Sequence, residues 1–132
     1  MLSPATTAAF HGPWIVACHD DSAVLTTIIQ TLREAGCRVF QGYDGISCYQ
    51  LALALPKLQL LVVNSRLGEM DGPELIGHIR TELPHIAVLH VGPDPDGRLP
   101  RDVPNLAEPF TATELLVAVS WLLPDRGNDS QG

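Results

Sequence analysis

The residues able to do chemistry fall into three short polar groups that interrupt apolar runs. His19-Asp20-Asp21 follows Trp14-Ile15-Val16-Ala17-Cys18. Asn64-Ser65-Arg66 follows Leu60-Leu61-Val62-Val63. Glu108-Pro109 follows Asn105-Leu106-Ala107. A carboxylate such as Asp20 can bind a hard cation, and a histidine can move a proton near neutral pH. Asn64 stands where an open parallel sheet gathers its ligands, at the carboxyl end of a strand buried on both faces. An amide, though, carries no charge and is a poor nucleophile. The Asn64-Ser65 pair is also liable to deamidate, which would turn Asn64 into an aspartate.

The rest of the chain must hold these groups together. The 132 residues suit one domain with short tails, large enough to bury a core. Trp14 to Cys18 reads as a first strand, and Asp21 or Ser22 as the cap of a helix carrying Val24, Leu25, Ile28, Ile29 and Leu32 at helical spacing. Gly36 supplies its stop. Cys37 to Phe40 is a shorter strand nearer an edge, and Ile46 to Leu55 a second helix ended by Pro56. Leu58 to Val63 is the central strand. Asp71-Gly72-Pro73 opens a helix buried through Leu75, Ile76, Ile79 and Leu83, and Pro84 ends it. Ile86 to Val91 is a fourth strand, in which His90 reads as a hydrogen-bonded histidine near a helix.

The alternation then fails. Residues 92–104 hold four prolines and two glycines, and proline inside a helix costs about 3 kcal/mol, so a loop is expected. Asn105 to Ala107 is a very short strand. Thr111-Ala112-Thr113-Glu114 fits a capping box, with Phe110 and Leu115 as its hydrophobic staple. Residues 1–12 and 125–132 read as flexible tails around a domain at 13–124. Alternating strands and helices predict an α/β fold with a parallel sheet and right-handed crossovers.

Charge and cysteine usage narrow the function. A net charge of -7 and a pI near 5.0 oppose a nucleic-acid surface and adsorption to anionic membranes. No stretch is apolar enough to span a bilayer, and no basic residue precedes the apolar ones in Met1 to Gly12, so neither a membrane anchor nor a secretory signal is expected. Cys18, Cys37 and Cys48 lack CxxC spacing and read as reduced, buried thiols of a cytoplasmic protein.

Over residues 13–123 the chain resembles a response-regulator receiver domain of two-component signalling. The landmarks are His19-Asp20-Asp21, Gly36, Met70-Asp71-Gly72 and Glu108-Pro109-Phe110. The resemblance implies a flavodoxin-like (βα)5 three-layer sandwich with five parallel strands in the order 2-1-3-4-5, its fourth helix short or replaced by a loop. It also implies a site. In that family an aspartate ending the third strand is phosphorylated, an acidic pair holds a divalent cation, and a hydroxyl and a lysine contact the phosphate. An aromatic on the fifth strand reports the change. The matching positions here are Asn64 for the aspartate, His19 and Asp20 for the pair, Gly92 for the hydroxyl, Glu108 for the lysine and Asn105 for the aromatic. Asp21, Arg66 and Pro109 keep structural places, and the peptide before Pro109 is expected to be cis as in the family.

The implied protein is a pseudo-receiver, not an enzyme. It would act through a histidine kinase, an output domain or a second copy of itself, without direct nucleic-acid or membrane contact. No cofactor is expected. Mg2+ would bind weakly at most, through Asp20, the Asn64 amide and the Arg66 carbonyl. His19 could pair with Glu108 across the pocket or sense pH. Two alternatives stand beside this: a receiver with altered chemistry that places phosphate on His19 or Ser65, and a flavodoxin-like binder of a small ligand.

Overall fold

The computed structural model describes residues 9–123. The expected tails at 1–8 and 125–132 lie outside the described residues. Five strands alternate with four helices: β1 (Trp14–Ala17), α1 (Ser22–Glu34), β2 (Arg38–Gln41), α2 (Gly45–Ala54), β3 (Leu58–Val63), α3 (Gly72–Glu82), β4 (Ala87–Val91), β5 (Asn105–Leu106) and α4 (Ala112–Leu122). The sheet is wholly parallel in the order β2-β1-β3-β4-β5. This is the flavodoxin-like arrangement. The helix that would join β4 to β5 is absent, and the proline-rich stretch 92–104 crosses as turns.

The apolar runs of β1, β3 and β4 are continuous because both faces of the sheet are covered. Side chains alternate along each strand, so one run feeds two cores. Ile15, Ala17, Leu60, Val62, Leu89 and Val91 pack toward Leu25, Ile28, Leu32, Leu115 and Val119 of α1 and α4. Val16, Leu61, Val63 and Val88 pack on the other side, against Ala52, Leu75, Ile76 and Ile79 of α2 and α3. Each fully buried Leu or Ile contributes about 1.5–3 kcal/mol.

Helix starts follow the polar residues expected of them. Asp21 accepts from the backbone of Ala23 and Val24 to open α1. Asp44, Asp71 and Thr111 each form a reciprocal capping box, with Ser47, Glu74 and Glu114. Phe110 packs against the core cluster that contains Leu115, as a staple requires. The α1 stop is a Schellman motif. Gly36 N–H donates to Arg33 O at 3.1 Å and Cys37 N–H to Leu32 O at 2.9 Å. Gly36 reaches φ +101°, a backbone that costs side-chain-bearing residues much more than glycine.

Two expectations change. Residues 9–12 are not a free tail: Phe10 is 2% exposed within the core, and its N–H donates to Ala35 O at 2.8 Å. Gly12 N–H likewise donates to Gly36 O at 2.8 Å, so this stretch runs along the end of α1 before β1 begins. Cys18 and Cys37 sit just outside β1 and β2, because the helix-end hydrogen bond claims Cys37. All three cysteines are buried and free, and burial pushes the Cys37 thiol up to about 12. No helix among the described residues is long and apolar enough to cross a membrane.

Candidate functional site

The carboxyl ends of β1, β3 and β4 open into a cavity of about 600 Å³. His19, Asp20 and Asp21 line it from β1, Asn64, Ser65 and Arg66 from β3, and Glu108 from beyond β5. The polar groups picked out by the sequence therefore do converge. Gly92 is beside them, since a Cβ built on it would lie 3.1 Å from Glu108 Oε2. Asn105 does not line the cavity, but reaches it through His90.

Asn64 and Asp20 satisfy each other. The Asn64 amide donates to Asp20 Oδ1 at 2.6 Å, and Asp20 N–H donates back to Asn64 Oδ1 at 3.3 Å. Asn64 is 6% exposed, so this closed pair meets the rule that a buried amide must find partners. The Asp21 carboxylate is spent on the first turn of α1. Of the two aspartates after β1, one caps a helix and the other holds an amide.

His19 closes the opposite side. Its Nδ1 accepts from Asp21 N–H at 3.0 Å, which leaves Nε2 to carry the proton and donate to Glu108 Oε2 at 2.7 Å. The pairing of His19 with Glu108, one of the possibilities the sequence left open, is present. Hydrogen bonds to a charged group are worth about 1.5–3 kcal/mol. Nδ1 also lies 3.3 Å from Asp20 Oδ1. Glu108 lies close over residue 92, which has no side chain. Gly92 has φ +101°, and any Cβ there would press on the glutamate. The two departures at 92 and 108 are thus one accommodation. The Glu108–Pro109 peptide is cis.

Sequence reading missed a second polar chain. His90 is wholly buried, yet both ring nitrogens have partners. Nδ1 is 2.8 Å from Asn105 Oδ1 and Nε2 is 2.9 Å from Ser65 Oγ. His90 is hydrogen-bonded, as expected, and its partners come from β5 and from the residue after Asn64. The parallel register that sets His90 beside Asn105 is the signal that could have revealed it.

The loop 92–104 forms the outer wall, with Pro93, Asp94, Pro95, Asp96 and Arg98 lining the cavity. Arg98 pairs with Asp71, the cap of α3. Arg80 grips Asp102 with both terminal nitrogens at 2.8 and 2.7 Å and also donates to Ile86 O at 2.9 Å. The Arg80 guanidinium holds the Asp102 carboxyl below its ordinary range. Val103 is buried in the core beside α3. The wall is therefore anchored without being helical.

No protein-family model and no curated protein matches the chain. Solved structures do. The signal receiver domain of an HD domain-containing protein from Pseudomonas fluorescens Pf-5 aligns with TM-score 0.78 at 24% identity, covering 89% of this chain and 99% of that one. A response regulator receiver protein from Sinorhizobium medicae WSM419 gives 0.78 at 23%, covering 87% and 97%. The receiver domain of the hybrid histidine kinase CckA gives 0.72 at 23%, covering 83% and 98%. The strand order, the site at the strand ends and these likenesses agree: the chain has the fold of response-regulator receiver domains.

Proposed function

We propose that this domain is a protein-interaction module built on a receiver scaffold, working in two-component signalling without aspartyl phosphorylation. The closed Asn64–Asp20 pair carries the reading. It occupies the strand end where a receiver presents its phosphoacceptor, and neither group is a free carboxylate nucleophile. Glu108 adds to this. A glutamate where a lysine would meet phosphate repels the dianion, at about 1–4 kcal/mol for charges a few ångströms apart near a surface.

The divalent cation that goes with receiver phosphorylation does not fit these residues. Mg2+ demands near-octahedral oxygen ligation. Here the Asp21 carboxylate caps α1 and Asp20 holds the Asn64 amide. The Arg66 carbonyl alone would complete a poor set. No cofactor is called for, and no enzymatic turnover.

The partner is then a protein: a histidine kinase, an output domain or a second copy. The similar solved structures point the same way, since their receiver domains come from an HD domain-containing protein and a hybrid histidine kinase. The acidic charge of -7 disfavours direct nucleic-acid contact or adsorption to anionic membranes, and fits a cytoplasmic protein.

The test is incubation with acetyl phosphate and magnesium, and separately with beryllium fluoride, read by intact mass and thermal unfolding. The expected result is no mass gain and no shift. A stoichiometric phosphoryl adduct on Asn64, His19 or a neighbour would overturn the reading. The variant Asn64→Asp is expected to stay inert while Glu108 remains, and Asn64→Asp with Glu108→Lys to gain the adduct.

A further inference from the structure

Ser65, His90 and Asn105 stand in the order and spacing of a nucleophile, its base and the group that orients the base. Asn105 Oδ1 can only accept, so the His90 proton sits on Nδ1, 2.8 Å away. Nε2 is then a bare acceptor, 2.9 Å from the Ser65 hydroxyl. The hydroxyl has a second acceptor in Pro93 O, but this is farther, at 3.2 Å. His90 is 0% exposed, so the imidazole is held away from water in one orientation by its two neighbours. Ser65, in contrast, lines the cavity. A buried base behind a partly exposed hydroxyl is the arrangement that activates a serine.

The cavity selects the electrophile. Asp20, Asp21, Asp71, Asp94, Asp96 and Glu108 face it, against two arginines, and Arg98 is already paired with Asp71. Such a surface repels phosphoanhydrides and other polyanions. It admits neutral or cationic esters. Arg66, which forms no ion pair among the described residues, lines the same cavity as the cation available to a carbonyl oxygen that gains charge.

We infer that Ser65 is an activated nucleophile that takes an acyl group from a neutral activated ester, with His90 as its base and Asn105 as a positioning residue. Ser65 Oγ attacks the carbonyl carbon while its proton passes to His90 Nε2. The tetrahedral adduct collapses, the bond to the leaving alcohol breaks, and the alcohol departs as its anion or with the proton held by His90. The product is an ester on Ser65. This is independent of the interaction reading, because an acylated Ser65 and an unphosphorylated Asn64 can coexist.

The probe is 4-nitrophenyl acetate on the whole chain, followed by 4-nitrophenolate release and by mass mapping of the adduct. One acetyl group on Ser65 is expected, and its loss in Ser65→Ala. His90 is buried, so its removal endangers the fold, and exposed Asn105 gives the decisive variants. Asn105→Ala should slow acylation about tenfold, and Asn105→Asp, which can only accept, should restore it to within a few-fold of the parent. Circular dichroism checks that both fold. Acetylation that maps to other residues, or a Ser65 rate unchanged by Asn105→Ala, overturns the proposal. Acetyl phosphate, run in parallel, separates it from the proposed function: a phosphoryl adduct would sink that reading and leave the acyl result to stand or fall alone.

Discussion

The cavity has two histidines that solve the same problem in opposite ways. His19, on the β1 side, is 8% exposed and sits between a backbone N–H and the Glu108 carboxylate. His90, on the β4 side, is fully buried and sits between two neutral side chains, Asn105 and Ser65. The first ring tethers a carboxylate. The second faces a hydroxyl. In one half the carboxylates of Asp20, Asp21 and Glu108 are held by an amide, a helix N-terminus and a histidine; in the other the Ser65 hydroxyl is held by His90 and Pro93 O. Each half is satisfied separately.

That contrast can be broken by substitution. His90→Ala should have the largest effect. It empties a fully buried site and removes the link between Ser65 and Asn105, for about 3–4 kcal/mol in urea unfolding. His19→Ala should cost less, about 1–3 kcal/mol, because Glu108 is partly exposed and water can replace the lost donor. If the two costs come out equal, the distinction between a buried relay and a surface tether fails.

Gly92→Ser tests the accommodation between 92 and 108. The left-handed backbone and the 3.1 Å approach to Glu108 together should cost about 1–3 kcal/mol. Adding Glu108→Ala should return the steric share but not the backbone share, so the double-mutant cycle should show coupling of at least 0.5 kcal/mol in order of magnitude, roughly the threshold for residues in contact. Additive costs would mean that the glycine and the glutamate are unrelated.

The smallest effect lies in the outer wall. Arg80→Ala should destabilise by about 0.5–1 kcal/mol, as an exposed ion pair does. The pH dependence has a definite sign. Asp102 titrates lower in the folded chain than in the unfolded one. Its stabilising share is therefore complete above the ordinary carboxylate range and fades as pH falls through the depressed folded value. Comparing parent and Asp102→Asn by urea unfolding near pH 6 and near pH 3 should show a gap at the higher pH that narrows at the lower.

Much of the architecture was legible because it is written locally. Apolar runs gave β1, β3 and β4; Asp21, Asp71 and Thr111 announced helix starts; four prolines between Pro93 and Pro104 excluded a helix. The His19–Glu108 pair was legible only through family resemblance, which placed residues 89 positions apart at one strand end. What escaped depends on third dimensions that no period records. Phe10 looks like part of a polar tail until the end of α1 offers it a slot. The Ser65–His90–Asn105 chain crosses three strands, and nothing in the neighbourhood of His90 along the chain hints at it. Arg80 and Asp102 are 22 residues apart on segments whose approach depends on the loop that replaced a helix.

The two-residue length of β5 has a consequence for how the protein keeps company. A sheet edge is a row of unsatisfied backbone groups that invites another chain to add a strand, and natural proteins blunt such edges. Here one margin is β5, only Asn105 and Leu106, with Pro104 before it and Pro109 soon after. The other is β2, four residues from Arg38 to Gln41. Neither margin offers the length from which fibrils or strand-swapped aggregates grow. Concentrated solutions should stay free of β-rich precipitate, and any association is left to side chains rather than to shared backbone.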